Sequence, residues 1–359
     1  MAKVSRECDM VLGKTKPFFY RHLMKKFIAV CWIGFCLAAQ GADYVVAISV
    51  DGLGSSYLQA MVDAGKLPHF KQLQMESAGT TNARNDYDVT VTLPNHASMV
   101  TSRRIKESEG HNWANNTDPA KGVTLHSHKG AYVASVFDVA HDHGLRTGMW
   151  ASKTKFSLFP DSYNDVNGAL DATGVDNGRK KVDYAYIKSS VELTDNFITS
   201  MASNPCQFAF VHFAECDSAG HKHGWGSEPY YSALIMLDVQ LGRIMEFIAV
   251  DPKLKGKTDL ILTADHGGEG KDHSNPTKVL VYTIPFFVWG AGVTAGDLYV
   301  LNTDTRLSPG DGRPDFAAPR QPIRNGEVGN LALTLLGLPE IPGSTIDAKQ
   351  DLRVGTRVK

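Results

Sequence analysis

Apolar positions along the chain follow two different periods. Tyr44–Val50 reads Tyr-Val-Val-Ala-Ile-Ser-Val, a nearly continuous β-branched run of the kind that marks a strand buried on both faces. Gln207–Phe213, Asp259–Ala264 and Ile284–Trp289 repeat the pattern, and Thr147–Trp150 predicts a shorter strand. Between these runs the spacing changes to three and four. Ala131–His141, Pro229–Ile248 and Glu327–Leu336 predict helices. The second places Leu234, Leu237, Leu241 and Ile244 on one face; the third is ended by Gly337 and Pro339. Strands alternating with helices predict an α/β sandwich with a mostly parallel central sheet flanked by helices. Residues 102–130 and 152–180 are rich in Gly, Asn, Asp, Ser and Lys and predict loop insertions over one face; 302–326 is loop-like as well. No repeat or linker divides residues 43–359, which predict a single domain.

The amino-terminal segment follows another logic. Met24-Lys25-Lys26 precedes an uncharged apolar run, Phe27–Ala39, and then small residues at Ala39-Gln40-Gly41-Ala42. This is the pattern of a signal peptide, with residues 1–23 as an extended n-region or with the true start at Met24. A buried core helix is the alternative. Cleavage near Ala42 predicts a periplasmic or secreted protein and removes Cys8, Cys31 and Cys36, leaving Cys206 and Cys216 to pair or to stay as buried thiols. It also takes Lys+Arg from 37 to 30 and Asp+Glu from 38 to 36, for a net charge of about −6. No run of about 18 apolar residues predicts a stable membrane span. No basic field invites a nucleic-acid duplex.

Chemistry-bearing residues gather where the predicted strands end. Asp51-Gly52 follows Val50, Asp217 and His221 follow the run ending at Phe213, and Asp265-His266 follows Ala264, with His273 seven residues on. In parallel α/β sheets ligands bind outside the carboxyl ends of the strands. Asp and His converging there suit one zinc ion or two; a structural salt-bridge network is the plain alternative. Thr92 precedes Pro94 and a helix expected from Asn95. A hydroxyl there meets the positive end of a helix and free backbone N–H groups, or serves only as an N-cap.

Thr92-Leu-Pro-Asn-His96, Asp217-Ser-Ala-Gly-His221 and Thr263-Ala-Asp-His-Gly267, in this order, resemble the alkaline phosphatase superfamily and within it the type I phosphodiesterase/nucleotide pyrophosphatase branch. The likeness runs from Asp51 to the Leu-Gly-Leu-Pro segment at 336–339. It implies an alkaline-phosphatase-like fold and two divalent metal ions, zinc by expectation. Asp51, Thr92, Asp265 and His266 are then implied to hold the ion that activates the nucleophile; Asp217, His221 and His273 hold the other. His273 is implied as the last ligand, although it lies nearer to His266 than in many nucleotide pyrophosphatases. The likeness also implies an asparagine on a phosphoryl oxygen, Asn116, with Asn115 as fallback, in the loop after His111.

The implied reaction is hydrolysis of a small-molecule phosphoric ester through a covalent phosphothreonine at Thr92. Asn116 and the Asn95 backbone N–H would steady the equatorial oxygens. Thr92, with His96 four residues on, departs from the formylglycine sulfatase pattern. The branch favours phosphodiesters and pyrophosphates. Lys153-Thr154-Lys155 argues the other way, because it resembles the basic pair by which some threonine-type phosphomonoesterases and phosphonoacetate hydrolases bind a dianionic group. A solvated pair of loop lysines is the alternative. Trp113, Phe156, Phe159 and Tyr163 offer a weak case for a base-stacking slot. His141 and His143 read as an exposed helix end, His126 and His128 as loop residues, and His223 as support for a ligand. A non-catalytic zinc-binding protein is the competing class.

Overall fold

The structure, a computed structural model, describes residues 41–355. The expected signal segment therefore lies almost wholly outside the described residues. Eight strands form one sheet: β1 Tyr44–Val50, β2 Ala78–Arg84, β3 Thr147–Ala151, β4 Tyr184–Ile187, β5 Phe208–Phe213, β6 Thr258–Ala264, β7 Thr283–Gly290 and β8 Gly296–Asp297. Their order is β4-β3-β5-β1-β6-β7-β2-β8. β1 lies between β5 and β6, parallel to both, and β3 runs parallel to β4 and β5. Only β7 is antiparallel to its neighbours, β6 and β2.

The continuous apolar runs are the central strands. β5 and β6 are buried at every position, as expected for a sheet covered by helices on both faces. The helix Glu228–Val250 packs Leu234, Leu237, Leu241 and Ile244 inward and starts under a Ser227 cap. The helix expected from Ala131 starts only at Val136, because Ser135 and Asp138 close a capping box and fix the start there. Within the predicted loops, Leu125–Lys129 and Leu158–Ser162 are short helices.

Register decides where the chemistry goes. Val50 stands opposite Phe213 on one side and Ala264 on the other. The chain therefore leaves β1, β5 and β6 at the same level, and Asp51, Asp217 and Asp265 emerge together at the carboxyl edge. Among the described residues no helix is long and apolar enough to cross a membrane.

Among the described residues the two cysteines, Cys206 and Cys216, are free and buried. Cys206 precedes β5 and Cys216 follows it, and a six-residue strand rises roughly 20 Å, far beyond disulfide reach. They do not pair, which corrects that expectation. Burial pushes the Cys206 thiol up to about 12, with only partial relief from Arg146.

Candidate active site

Two triads of potential metal ligands lie side by side: Asp51, Asp265 and His266 in one, Asp217, His221 and His273 in the other. Their ligand atoms lie within 4.8 Å of one another in each triad. All but His221 are buried; its side chain is 47% exposed and marks the open side of the site.

The hydrogen bonds orient these groups. His266 Nδ1 lies 2.8 Å from Gly267 O, His273 Nδ1 2.8 Å from Thr90 O, and His221 Nδ1 3.1 Å from Lys271 O. Each Nδ1–H is thus spent on a backbone carbonyl and each Nε2 is left to face inward, as a metal-binding imidazole requires. Asp265 Oδ1 accepts from the Gly52 and His266 N–H groups at 3.0 and 2.9 Å. Its other oxygen has no partner, nor have Asp217 Oδ1 and His266 Nε2, though all three are buried. Orphaned buried acceptors are costly unless something binds them. These donors fit a divalent cation in each triad.

Charge leads to the same conclusion. Three buried carboxylates face one ammonium, Lys153 Nζ, which lies 2.6 Å from Asp51 Oδ2 and 2.6 Å from Asp217 Oδ2. Burial would raise Asp51, but Lys153 and His212 hold it well below the usual carboxylate range. Asp265 lacks such a contact, and burial together with Asp51 and Asp217 pushes it well above. Burial holds His266 down to about 3, so it stays neutral and able to ligate.

Thr92 is the first residue of the helix Thr92–Thr101, which begins three residues earlier than expected. Val91 occupies the cap position, so Thr92 is not an N-cap. Its buried hydroxyl points to Asp51 Oδ1 at 3.5 Å. The Leu93 N–H donates to Asn116 Oδ1 at 2.9 Å, and Lys155 Nζ reaches Asn116 O and Oδ1 at 2.6 and 3.2 Å. Asn116 thus lies at the helix start, whereas Asn115 accepts from Thr117 in its own exposed turn. The Asn95 N–H is turned towards Val91 O at 3.4 Å, and its side chain binds Val89 O and Val91 O and accepts from the Asp86 N–H. The backbone donor beside Asn116 is therefore Leu93 rather than Asn95.

Lys153 and Lys155 both reach inward, which corrects the solvated-loop alternative. Trp113, Phe156, Phe159 and Tyr163 are buried in the core and present no stacking slot. His141 is buried against Asp171 at 2.8 Å, not exposed. With Asp142 it forms a third His/Asp group, whose cation is already supplied by Lys181. His223 lies exposed at its helix end, and His126 stacks on Tyr132.

Three residues support the site in roles that the sequence did not suggest. His212 Nε2 lies 3.0 Å from Asp51 Oδ2, behind the triad. His96 bridges Ser49 Oγ and Thr92 O, 2.8 Å from each. Trp225 donates to Gly52 O at 2.8 Å. His212 sits in an otherwise apolar strand, and that isolation was its only signal.

The family model described as type I phosphodiesterase / nucleotide pyrophosphatase matches residues 45–280. Ectonucleotide pyrophosphatase/phosphodiesterase family member 7 of Mus musculus is 27% identical over 234 residues, covering 62% of this chain and 49% of the relative. GPI ethanolamine phosphate transferase 1 of Saccharomyces cerevisiae is 28% identical over 165 residues, 39% of this chain and 16% of the relative. The chain thus spans less than half the length of either. Among solved structures, alkaline phosphatase PafA superposes with a TM-score of 0.61 at 12% identity, covering 88% of this chain and 99% of that one. An inactive murine ectonucleotide pyrophosphatase/phosphodiesterase 5 in complex with AMP gives 0.55 at 15%, covering 84% and 96%. Both share the alkaline-phosphatase-like fold. With the family match running through β1, β5 and β6 and through both triads, the chain belongs to the type I phosphodiesterase / nucleotide pyrophosphatase family.

Proposed function

We propose that this protein is an exported hydrolase of phosphoric esters, acting on phosphodiester or pyrophosphate bonds through Thr92 with two divalent ions, zinc foremost. The supporting observation is the Thr92 hydroxyl at a helix start, 3.5 Å from Asp51 of one ligand triad, with the second triad adjoining. Two bound divalent ions would supply Lewis acidity and charge neutralisation at the phosphoryl group. Asp51, Asp265 and His266 would hold one, and Asp217, His221 and His273 the other.

The residues do the rest. Thr92 Oγ1 is the attacking oxygen: its bond to phosphorus forms as the bond to the ester's leaving oxygen breaks, and the leaving group departs with the proton that Thr92 gives up; the hydroxyl is aimed by its hydrogen bond to Asp51 Oδ1. Asn116 Oδ1 is taken by the Leu93 N–H, which turns the Asn116 NH₂ outward as a donor for a phosphoryl oxygen. Burial of Thr92 and its neighbours excludes bulk water from the nucleophile. AMP, bound by the murine relative, has the chemistry of a product that such an enzyme would release. Export rests on the Met24–Ala42 pattern and is checked by sequencing the amino terminus of the mature protein.

A second reading stands on Lys153 and Lys155. Two ammonium groups within reach of the same site suit a dianionic monoester or phosphonate better than a diester. One comparison separates the readings: hydrolysis of bis-p-nitrophenyl phosphate and of p-nitrophenyl phosphate, before and after chelation and zinc restoration. Chelator-sensitive preference for the diester supports the first reading, and Lys155→Ala should then cost little. Preference for the monoester, with a large loss in Lys155→Ala, supports the second. No metal-dependent hydrolysis of either sinks both. Thr92→Ala should abolish turnover while zinc content stays at the wild-type level; turnover retained in that variant excludes Thr92 as nucleophile.

A further inference from the structure

One indole packs against one triad and is hydrogen-bonded beside the other. The Trp225 ring packs edge-on against His221 and His273 with centroids 5.3 and 5.7 Å apart, and its N–H donates to Gly52 O at 2.8 Å. Gly52 directly follows Asp51, has φ +75, and its own N–H binds Asp265 Oδ1 at 3.0 Å. Tyr230 Oη donates to the same Gly52 oxygen at 3.0 Å. The backbone N–H of Trp225 donates to Gly270 O at 2.7 Å.

The slot that holds the ring is built for it. A Cβ on Gly220 would lie 2.6 Å from the indole, and one on Gly268 would lie 2.2 Å from it. Glycine at both places lets the ring lie flat between the helix that carries Asp217 and His221 and the turn that follows His266. Trp225 is only 7% exposed, so it also closes the space behind the two imidazoles to water.

We propose that Trp225 is the positioning residue that fixes the separation of the two ligand triads, packing against His221 and His273 of one while its N–H holds Gly52, and with it Asp51 and Asp265, of the other. The ring touches no ligand atom; it acts through the residues that carry them. The inference rests on the proposed dimetal reading of the triads. Outer partners of this kind are worth ~10–100-fold in metal affinity.

The test uses the full chain, stripped of metal and titrated with zinc against a chromophoric chelator, so that two dissociation constants are read without reference to activity. Trp225→Phe keeps a ring against the imidazoles but loses the bond to Gly52. The constant of the Asp51 triad should weaken, by roughly tenfold, and that of the His221 triad less. His221→Ala, which removes a ligand from one triad, should weaken one constant only. Tyr230→Phe should weaken both constants less than Trp225→Phe, because the indole still holds the carbonyl. Cobalt added to the wild type should quench tryptophan emission, and the quenched component should be missing in Trp225→Phe. Wild-type constants for both ions in Trp225→Phe overturn the proposal while leaving the dimetal reading intact. A wild-type protein that binds no zinc overturns both.

Discussion

At the residue scale the site depends on side chains that would never touch a substrate. His212 offers Nε2 to Asp51 Oδ2, and the backbone of Ser152 approaches its Nδ1 at 3.4 Å. Asp51 has both oxygens in use, one towards Thr92 and one towards His212 and Lys153. Removing the imidazole leaves a carboxylate free to rotate away from the nucleophile. His212→Ala is expected to weaken metal binding at that triad by ~10–100-fold, measured by chelator competition, with partial recovery in His212→Gln. Unchanged affinity in His212→Ala would show that Lys153 alone orients Asp51.

At the element scale the carboxyl-terminal segment poses a charge problem. Arg306 meets Glu327 at 3.0 Å, Asp347 at 2.8 Å and Asp351 at 2.7 Å, three carboxylates around one guanidinium. Burial and then the Glu327 charge push Asp347 up to about 8, so the proton stays there. Its Oδ2 is buried without a partner. The sign follows from linkage. Between the ordinary 3.8 and about 8 the folded chain holds a proton that the unfolded chain has lost. Stability therefore falls as pH rises across that window and levels off above it. Asp347→Asn keeps the Oδ1 acceptor, tolerates φ +49 and should flatten the decline in urea midpoints between pH 5 and 9. A slope equal to wild type would assign the pH dependence to another group.

The elements also show what a sequence discloses. β1, β5, β6 and β7 were legible because full burial demands unbroken apolar runs, and the motifs at their ends placed both triads. β2, Ala-Gly-Thr-Thr-Asn-Ala-Arg, carries neither period; its strand state comes from pairing with β7 and β8. An apolar run has no direction written in it, so the antiparallel course of β7 was invisible. Asn116 and Lys155 meet only because two loops fold towards each other, and loop geometry leaves no periodic trace. The late start of the helix at Val136 was readable in Ser135 and Asp138, and the capping box outweighed the apolar spacing.

At the scale of the whole molecule, three buried carboxylates with one lysine make the site a destabilising feature, one that bound cations would relieve. Ligand that binds only the folded state stabilises it. Zinc at about a hundredfold excess over its dissociation constant should add about 2.7 kcal/mol per site, read as a rise in the urea midpoint that chelation reverses. Thr92→Ala should show most of the same rise, since the other ligands remain. No dependence of stability on zinc would count against both triads as metal sites.

The pairing of Thr90 with His273 has a consequence in time. Thr90 Oγ1 donates to His273 O at 2.5 Å and His273 Nδ1 faces Thr90 O at 2.8 Å, between residues 183 positions apart. Each triad is likewise drawn from distant parts of the chain, after β1, β5 and β6. Such long-range parallel pairing is slow to form, and no short stretch of the nascent chain presents a complete ligand set. A metal ion cannot nucleate this fold as it does a zinc finger; the cage exists only once the central strands are in register. An ion bound by these triads would load late, and the ion acquired would be the one on offer where folding finishes.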